Sequence, residues 1–370
     1  MGIDRLVYIR ADGNAKIATG HLMRCFSIAN ACRNQGMKVH FLVSDKESAG
    51  FLQDNLSAAY PVTILKNASY DNLERELPEL LSLFSYARCK DLIYLLDSYF
   101  VTEKYLSAIR PVVKLVYLDD LMLFDYPVDL LVNYDIIPES KMPAYKASYR
   151  NAGKLLLGAG YAPLREQFQN REMRLRTRAS HLLITTGGSD PYHFALTLIR
   201  HLSENIFPEG LFPDGLIIHV VIGAMSPDKE ALYELGQSLP SLKLYEHLAR
   251  MASLMESCDL AVSASGTTLY ELCALGVPAI SFTMADNQLP SAKAFAEIGA
   301  IPYAGDIRHS MEQVLDKICL FLSDLSKAEP SSQTDSLDSS FIKRKTAHET
   351  MRSLIDGNGS LRIAREIQRL

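Results

Sequence analysis

The chain has 370 residues, with 38 Lys+Arg against 43 Asp+Glu and a formal charge of −5 at pH 7. At roughly 150 residues per domain this length predicts about two domains, and 48% hydrophobic with 22% charged residues excludes collagen-like, coiled-coil and disordered classes. No basic excess exists to draw the chain onto nucleic acid or an acidic membrane, so neither is an expected partner.

Cys25, Cys32, Cys89, Cys258, Cys273 and Cys319 show neither C-x-x-C spacing nor nearby His pairing, and read as buried free thiols. The opening MGIDRLVYIR passes directly into a strand-like run with no apolar signal stretch. No run approaches the roughly 18 apolar residues of a membrane span. A cytoplasmic location is expected.

Short apolar runs alternate with longer segments of helical period, the pattern of a parallel sheet with crossover helices. A strand is predicted at Leu6–Ile9, a helix from His21 to Asn34 closed by Gly36, and a strand at Val39–Val43. Further strands are predicted at 62–65, 92–96, 114–118 and 130–132, closing one doubly wound unit near residue 155. The arginine-rich stretch 167–178 separates it from a second unit that begins with a strand at 181–185, then Gly187-Gly188 and a helix. Strands follow at 217–222, near 242–245, at 260–262 and at 278–282, with helices at 248–256, from Thr267, and at 291–297. Residues 326–340 are Ser/Asp-rich and read as an exposed polar loop. The last helical stretch is broken by Asp356-Gly357-Asn358-Gly359. The expected layout is therefore an N-terminal domain at 1–165, a C-terminal domain at 179–325, the loop, and a helical tail at 341–370.

In an open α/β sheet, ligands bind outside the carboxyl ends of the strands, where helix N-termini point. The first strand runs into a polar, glycine-containing loop carrying Arg10, Asp12 and Gly20-His21. At a helix start the dipole disfavours imidazolium, so His21 is a candidate general base; the plainer role is a helix cap. Ser265-Gly266-Thr267-Thr268 is the equivalent turn of the second unit: small residues admit a close approach, hydroxyls and free N–H groups suit a diphosphate, and Glu271 one turn on suits a ribose diol. Asn287 and Gln288 at another strand end suit sugar hydroxyls or acetamido groups. Gly187-Gly188-Ser189-Asp190-Pro191 is a third such loop, suited to a phosphate, with Pro191 placed as the first helical residue. Asp97-Ser98-Tyr99 and Asp119-Asp120 end two more strands.

Together these motifs resemble the two-domain GT-B nucleotide-sugar enzymes. The stretch from Ser265 through Glu271 to Gly276-Val277-Pro278 and Asp286-Asn287-Gln288 is similar to the UDP-sugar-binding half of the transferase that adds N-acetylglucosamine to the peptidoglycan lipid carrier. The ordered set Arg10-x-Asp12, Gly20-His21-Leu-Met-Arg24-Cys25, Asp97-Ser98-Tyr99, Asp119-Asp120, Gly160-Tyr161-Ala-Pro-Leu-Arg165 and Gly187-Gly188-x-Asp190 resembles the UDP-2,4-diacetamido-2,4,6-trideoxy-β-L-altropyranose hydrolase family of pseudaminic (nonulosonic) acid biosynthesis, over most of residues 5–300.

That resemblance implies two Rossmann-like doubly wound domains facing a central cleft, and metal-independent loss of UDP by attack of water on C1, with C–O cleavage and inversion. It implies no cofactor. His21 matches the catalytic histidine, and Arg10, Asp12 and Tyr99 match sugar-pocket residues. The Ser265–Thr268 loop would take the diphosphate, Glu271 the ribose, and backbone near His247-Leu248 the uracil. One departure is the tail beyond residue 326, longer than a minimal hydrolase and similar to the closing helix of GT-B transferases. The tail leaves in play a different dideoxy-sugar substrate or an inverting transferase in which His21 activates an acceptor hydroxyl. A third reading is a non-catalytic nucleotide-sugar-binding protein, against which the presence of both His21 and the diphosphate loop argues. A transferase needs an open acceptor groove, often with an apolar or basic patch on the first domain, and none is obvious in the sequence. A UDP leaving group is already good, so a base for water plus donors on the diphosphate suffice, without the second carboxyl group of a glycosidase.

Overall fold

The computed structural model describes residues 5–14, 16–17, 19–55, 60–86, 91–171, 175–205, 215–246, 248–326 and 339–370. The chain divides into two units, Met1–Glu166 with Gly357–Leu370, and Gln167–Asp356.

The first unit carries strands β1 (Arg5–Ala11), β2 (Lys38–Val43), β3 (Val62–Ile64), β4 (Asp91–Asp97), β5 (Lys114–Leu118), β6 (Leu130–Asn133) and β7 (Lys154–Leu157). Between them run helices α1 (Gly20–Asn34), α2 (Lys46–Asn55), α3 (Leu77–Tyr86), α4 (Glu103–Ile109) and α5 (Met142–Ser148). The strands form one parallel sheet in the order β3-β2-β1-β4-β5-β6-β7. Strand order reverses between β1 and β4, the switch point at which such sheets open a crevice for ligands.

Side-chain alternation sets what each face carries. Val7, Ile9 and Ala11 of β1 and Ile93 and Leu95 of β4 pack on the same side as Leu22, Cys25, Ile28 and Ala29 of α1. Tyr8, Tyr94 and Leu96 pack on the opposite side with Leu80, Phe84 and Tyr105. Asp97, two residues beyond Leu95, therefore belongs to the α1 face, whereas Arg10 belongs to the other.

The second unit repeats the plan with β8 (His181–Thr185), β9 (Ile217–Val221), β10 (Leu242–Tyr245), β11 (Leu260–Ala264), β12 (Ala279–Thr283) and β13 (Tyr303–Asp306). Its helices are α6 (Phe194–Asn205), α7 (Lys229–Ser238), α8 (Met251–Glu256), α9 (Thr268–Leu275), α10 (Leu289–Glu297), α11 (Met311–Ser326) and α12 (Ser339–Leu354). The parallel order is β10-β9-β8-β11-β12-β13, with its switch point between β8 and β11. Two doubly wound units were expected, and two are present.

The tail differs from the expectation of a separate segment. Helix α12 lies against α9: His348 Nδ1 sits 2.7 Å from the carbonyl of Gly276, and Arg352 donates to that of Ala274. Gly276 ends α9 at φ +68°, and an added Cβ there would fall 2.3 Å from the His348 ring. The last helix, α13 (Gly359–Gln368), belongs instead to the first unit. Its Ile363, Ala364 and Ile367 join the core of α1, Ser360 donates to the carbonyl of Leu164 at 3.0 Å, and Arg362 donates to that of Gly160 at 2.8 Å. The Asp356–Gly359 break is thus the point at which the chain returns to its first unit. Most of the predicted polar loop, 327–338, lies outside the described residues.

Cys25, Cys32, Cys258 and Cys273 are free and buried, Cys319 is free and half-buried, and Cys89 lies outside the described residues. No helix among the described residues is long and apolar enough to cross a membrane.

Candidate functional site

Helix α1 follows β1 after the loop 12–19, and its buried stripe of His21, Leu22, Cys25, Ile28, Ala29 and Cys32 follows the helical period. This places His21 and Arg24, one turn apart, above the end of β4. His21 Nδ1 lies 2.6 Å from Oδ1 of Asp97. Arg24 binds the same carboxylate with two donors, Nε to Oδ2 at 2.5 Å and Nη2 to Oδ1 at 2.6 Å. Its Nη1 reaches Oδ2 of Asp120 at 3.1 Å and the Tyr134 hydroxyl at 2.7 Å. Burial alone would raise the Asp97 carboxyl, but Arg24, then His21, hold it well below the usual carboxylate range.

An ionised carboxylate only accepts hydrogen bonds. The 2.6 Å contact from Asp97 therefore requires the proton on Nδ1 of His21, which leaves Nε2 of the neutral ring with a free lone pair. This is the geometry of an imidazole oriented by a carboxylate, with its second nitrogen able to accept a proton. The ring is 7% exposed and borders a small cavity with Asp12, Ile17, Tyr70, Tyr99 and Phe100. Tyr99 meets it edge-on at 4.5 Å between centroids and donates to Oδ2 of Asp120 at 3.1 Å.

Arg10 is expected in the sugar pocket, but its side chain is only 1% exposed and is consumed by protein partners. Nε bonds both carboxylate oxygens of Glu76 at 3.0 Å, and Nη1 donates to Oδ2 of Asp12 at 2.5 Å. Its face of the sheet explains the difference: Arg10 follows Tyr8 on the side where Glu76 and Tyr105 lie. Burial opposes its charge, but Glu76 and Asp12 more than offset that and raise it above the ordinary range. Asp12 also accepts from the Ser44 amide at 2.7 Å, so it is clamped from both sides while bordering the cavity. Arg10 thus holds a pocket residue and does not line the pocket.

Asp119 is committed as well. Its carboxylate accepts from the amides of Leu121 and Met122 at 3.2 and 3.0 Å and from the Tyr149 hydroxyl at 2.6 Å. Among the described residues no group of three or more His, Cys, Asp or Glu side chains is arranged to hold a metal ion.

In the second unit Ser265 donates its hydroxyl and its amide to the carbonyl of Phe282, at 2.8 and 2.9 Å. Both of its donors are thus engaged within the unit. Gly266 and Thr267 are exposed, Thr268 opens α9, and Glu271 lies half-buried in its first turn. The Gly266 amide donates to the carbonyl of Ala264 at 2.9 Å, and those of Leu269 and Tyr270 donate to the carbonyls of Gly266 and Thr267 at 3.1 Å, which leaves Thr267 and Thr268 as the candidate outward donors of this turn.

Gly187 adopts φ +83°, a conformation suited to glycine, and Gly188 is exposed beside it. The loop rests on Gly223, where an added Cβ would fall 2.5 Å from the carbonyl of Gly187. Helix α6 begins at Phe194, three residues after Pro191, because the Asp190 carboxylate caps the amides of Phe194 and Ala195 at 2.9 and 2.8 Å. Gln288 Oε1 accepts from the Met284 amide at 2.9 Å, which leaves its amide nitrogen to offer, while Asn287 is exposed. Leu248 is half-buried and His247 lies outside the described residues.

Sequence reasoning placed Arg24 and Asp97 in its motifs but gave neither a role. The available signal was the His-x-x-Arg spacing on one helical face.

The profile of the glycosyltransferase family 28 C-terminal domain matches residues 182–348. The chain is 28% identical over 217 residues to the spore coat polysaccharide biosynthesis protein SpsG of Bacillus subtilis, covering 58% of each. It is 26% identical over 262 residues to the UDP-2,4-diacetamido-2,4,6-trideoxy-β-L-altropyranose hydrolase of Campylobacter jejuni, covering 70% of this chain and 85% of that one. The chain spans little more than half the length of the first curated relatives it matches, 58% and 54%. Among solved structures, MurG of Acinetobacter baumannii superposes with a TM-score of 0.65 at 14% identity, covering 99% of this chain and all of that one. The architecture of this chain is accordingly the GT-B type, two parallel-sheet α/β units, the second of them similar to the family 28 domain.

Proposed function

We propose that the protein hydrolyses a UDP-linked 2,4-diacetamido-2,4,6-trideoxy hexose to free sugar and UDP, with inversion at C1. The observation that carries this is the Asp97-fixed tautomer of His21, which leaves Nε2 as the acceptor of a ring that borders a small cavity. Nε2 takes a proton as the water oxygen bonds to C1 from the face opposite UDP. The C1–O bond breaks, and its electron pair leaves on the diphosphate. The second unit's part is anion binding, by the amides of Thr267 and Thr268 and the loop at Gly187-Gly188, with Glu271 toward the ribose. Similarity to the Campylobacter hydrolase supports the substrate class. The test is incubation with this class of UDP-sugar in water without any acceptor, with UDP release as the readout.

One observation favours a second reading, inverting transfer to an acceptor hydroxyl. The segment after β5 exposes Leu121, Met122 and Leu123, the last at 64%, directly beyond Asp120. Such an exposed apolar run suits an apolar acceptor. Dependence of UDP release on an added acceptor separates the two readings.

A further inference from the structure

We infer that Arg24 is the positioning residue that sets the proton state of His21, by holding Asp97 ionised and by placing a fixed positive charge beside the imidazole. The inference rests on the hydrolytic reading for its kinetic consequences only; its geometry stands apart from it. Arg24 engages both oxygens of Asp97, and its Nη2 lies 3.1 Å from Nδ1 of His21. Nδ1 carries the proton that Asp97 accepts, so the guanidinium approaches the ring as a neighbouring charge and not as a hydrogen-bond donor to it.

The same guanidinium extends to Asp120, and Asp120 accepts from Tyr99, whose ring meets His21. The contacts close a circuit from His21 through Asp97, Arg24, Asp120 and Tyr99 back to His21. One cation therefore fixes the base and, through Asp120, the aromatic wall beside it. Arg suits this place where Lys does not, because its fork serves two carboxylates and a hydroxyl from one rigid plane.

The charged and titratable groups around it come from several elements, and of the Asp120 carboxylate one oxygen, Oδ1, is buried without a hydrogen-bond partner among the described residues. From α1 come His21 and Cys25, the thiol lying 3.5 Å from Oδ2 of Asp97 and raised by burial and then by that carboxylate. From the end of β4 come Asp97 and Tyr99, and from the end of β5 Tyr117, Asp119 and Asp120. From beyond β6 come Tyr134, pushed up to about 12 chiefly by burial, and Asp135. Asp12, beyond β1, borders the cavity. Of these, Arg24 is the permanent cation, so its loss leaves Asp97 unbalanced and makes the imidazolium easier to form.

The test compares Arg24→Gln with Arg24→Lys, each checked for native circular dichroism. Nitrogen-15 NMR of the His21 ring reads its tautomer and protonation midpoint without reference to activity. In the wild type and Arg24→Lys the neutral ring is expected to carry its proton on Nδ1. In Arg24→Gln the midpoint should rise by about one pH unit or more, the size expected from losing a neighbouring charge. With the UDP-sugar as substrate, the acid limb of kcat should move up by the same amount in Arg24→Gln and stay in place in Arg24→Lys. Both variants should lose about 10- to 100-fold in kcat through misplacement of the base, with KM changed less. A folded Arg24→Gln whose His21 midpoint and tautomer match the wild type overturns the inference. Wild-type protein with the expected ring behaviour but no UDP release overturns the hydrolytic reading and leaves the role of Arg24 intact.

Discussion

His21 and Asp97, separated by 76 residues in sequence, are joined at 2.6 Å because β1 and β4 are neighbours at the switch point of the first sheet. The register pairs Ala11 with Asp97, so the helix that follows β1 delivers its first turn onto the last residue of β4. That relationship turns a helix-start histidine into an oriented acceptor.

Removing the acceptor is the first test. His21→Gln should lower kcat by about 10²–10⁴, the usual worth of a positioned base, while substrate affinity changes little. Steady-state kinetics with the UDP-sugar, with affinity measured separately by calorimetry on the inactive variant, checks both halves. A variant with near-normal kcat leaves His21 as a structural partner of Asp97 only.

Nucleotide binding provides a second test. UDP alone should raise the thermal midpoint by mass action, and Glu271→Ala should reduce that rise by removing contacts to the ribose. An undiminished UDP-induced shift in the variant removes the ribose assignment.

Metal dependence follows from how the carboxylates beyond β5 are used. Asp119 is bound to two amides and a tyrosine, Asp120 is bound through Oδ2 to Arg24 and Tyr99, and among the described residues no group of three or more His, Cys, Asp or Glu side chains is arranged to hold a cation. Turnover should persist in excess EDTA. Loss of activity that magnesium or manganese restores would reopen both residues as ligands.

Asp135 carries a pH-dependent cost. Burial, then Asp120, raises its carboxyl to about 6. In the folded state it therefore holds a proton longer than in the unfolded chain, whose carboxyl titrates near 3.9. Stability falls as pH rises through the window from about 4 to 6 and stays reduced above it. Asp135→Asn should be more stable than the wild type at pH 7 by about 1–2 kcal/mol, and no more stable below pH 4. Urea unfolding at the two pH values measures the difference.

Much of the frame was legible because strand and helix periods are strong signals. The β5 segment Lys114–Leu118 is found where predicted, and α1 starts within one residue of its prediction. The strands that went unseen, β7 and β13, are four-residue edge strands, one led by Lys154 and the other containing Gly305 at φ +137°. Neither shows a long apolar run. The return of α13 to the first unit was equally hidden, since it depends on Gly359 fitting against the carbonyl of Ala162, where a Cβ would fall at 2.1 Å.

The site divides along the same line. His21, Asp12, Tyr99 and the glycine turns were visible as polar residues at strand ends. The burial of Arg10 against Glu76 and the commitment of Ser265 to Phe282 were not, because they depend on partners distant in sequence. The Arg24 clamp was missed for the same reason, as its carboxylate lies 73 residues away.

The central claim is tested most directly by running the reaction in oxygen-18 water without an acceptor and following it by NMR and mass spectrometry. The account predicts UDP release, the label on C1 of the sugar with none in UDP, and a first anomer of inverted configuration before mutarotation. Label in UDP, a retained first anomer, or UDP release only after an acceptor is added would contradict it.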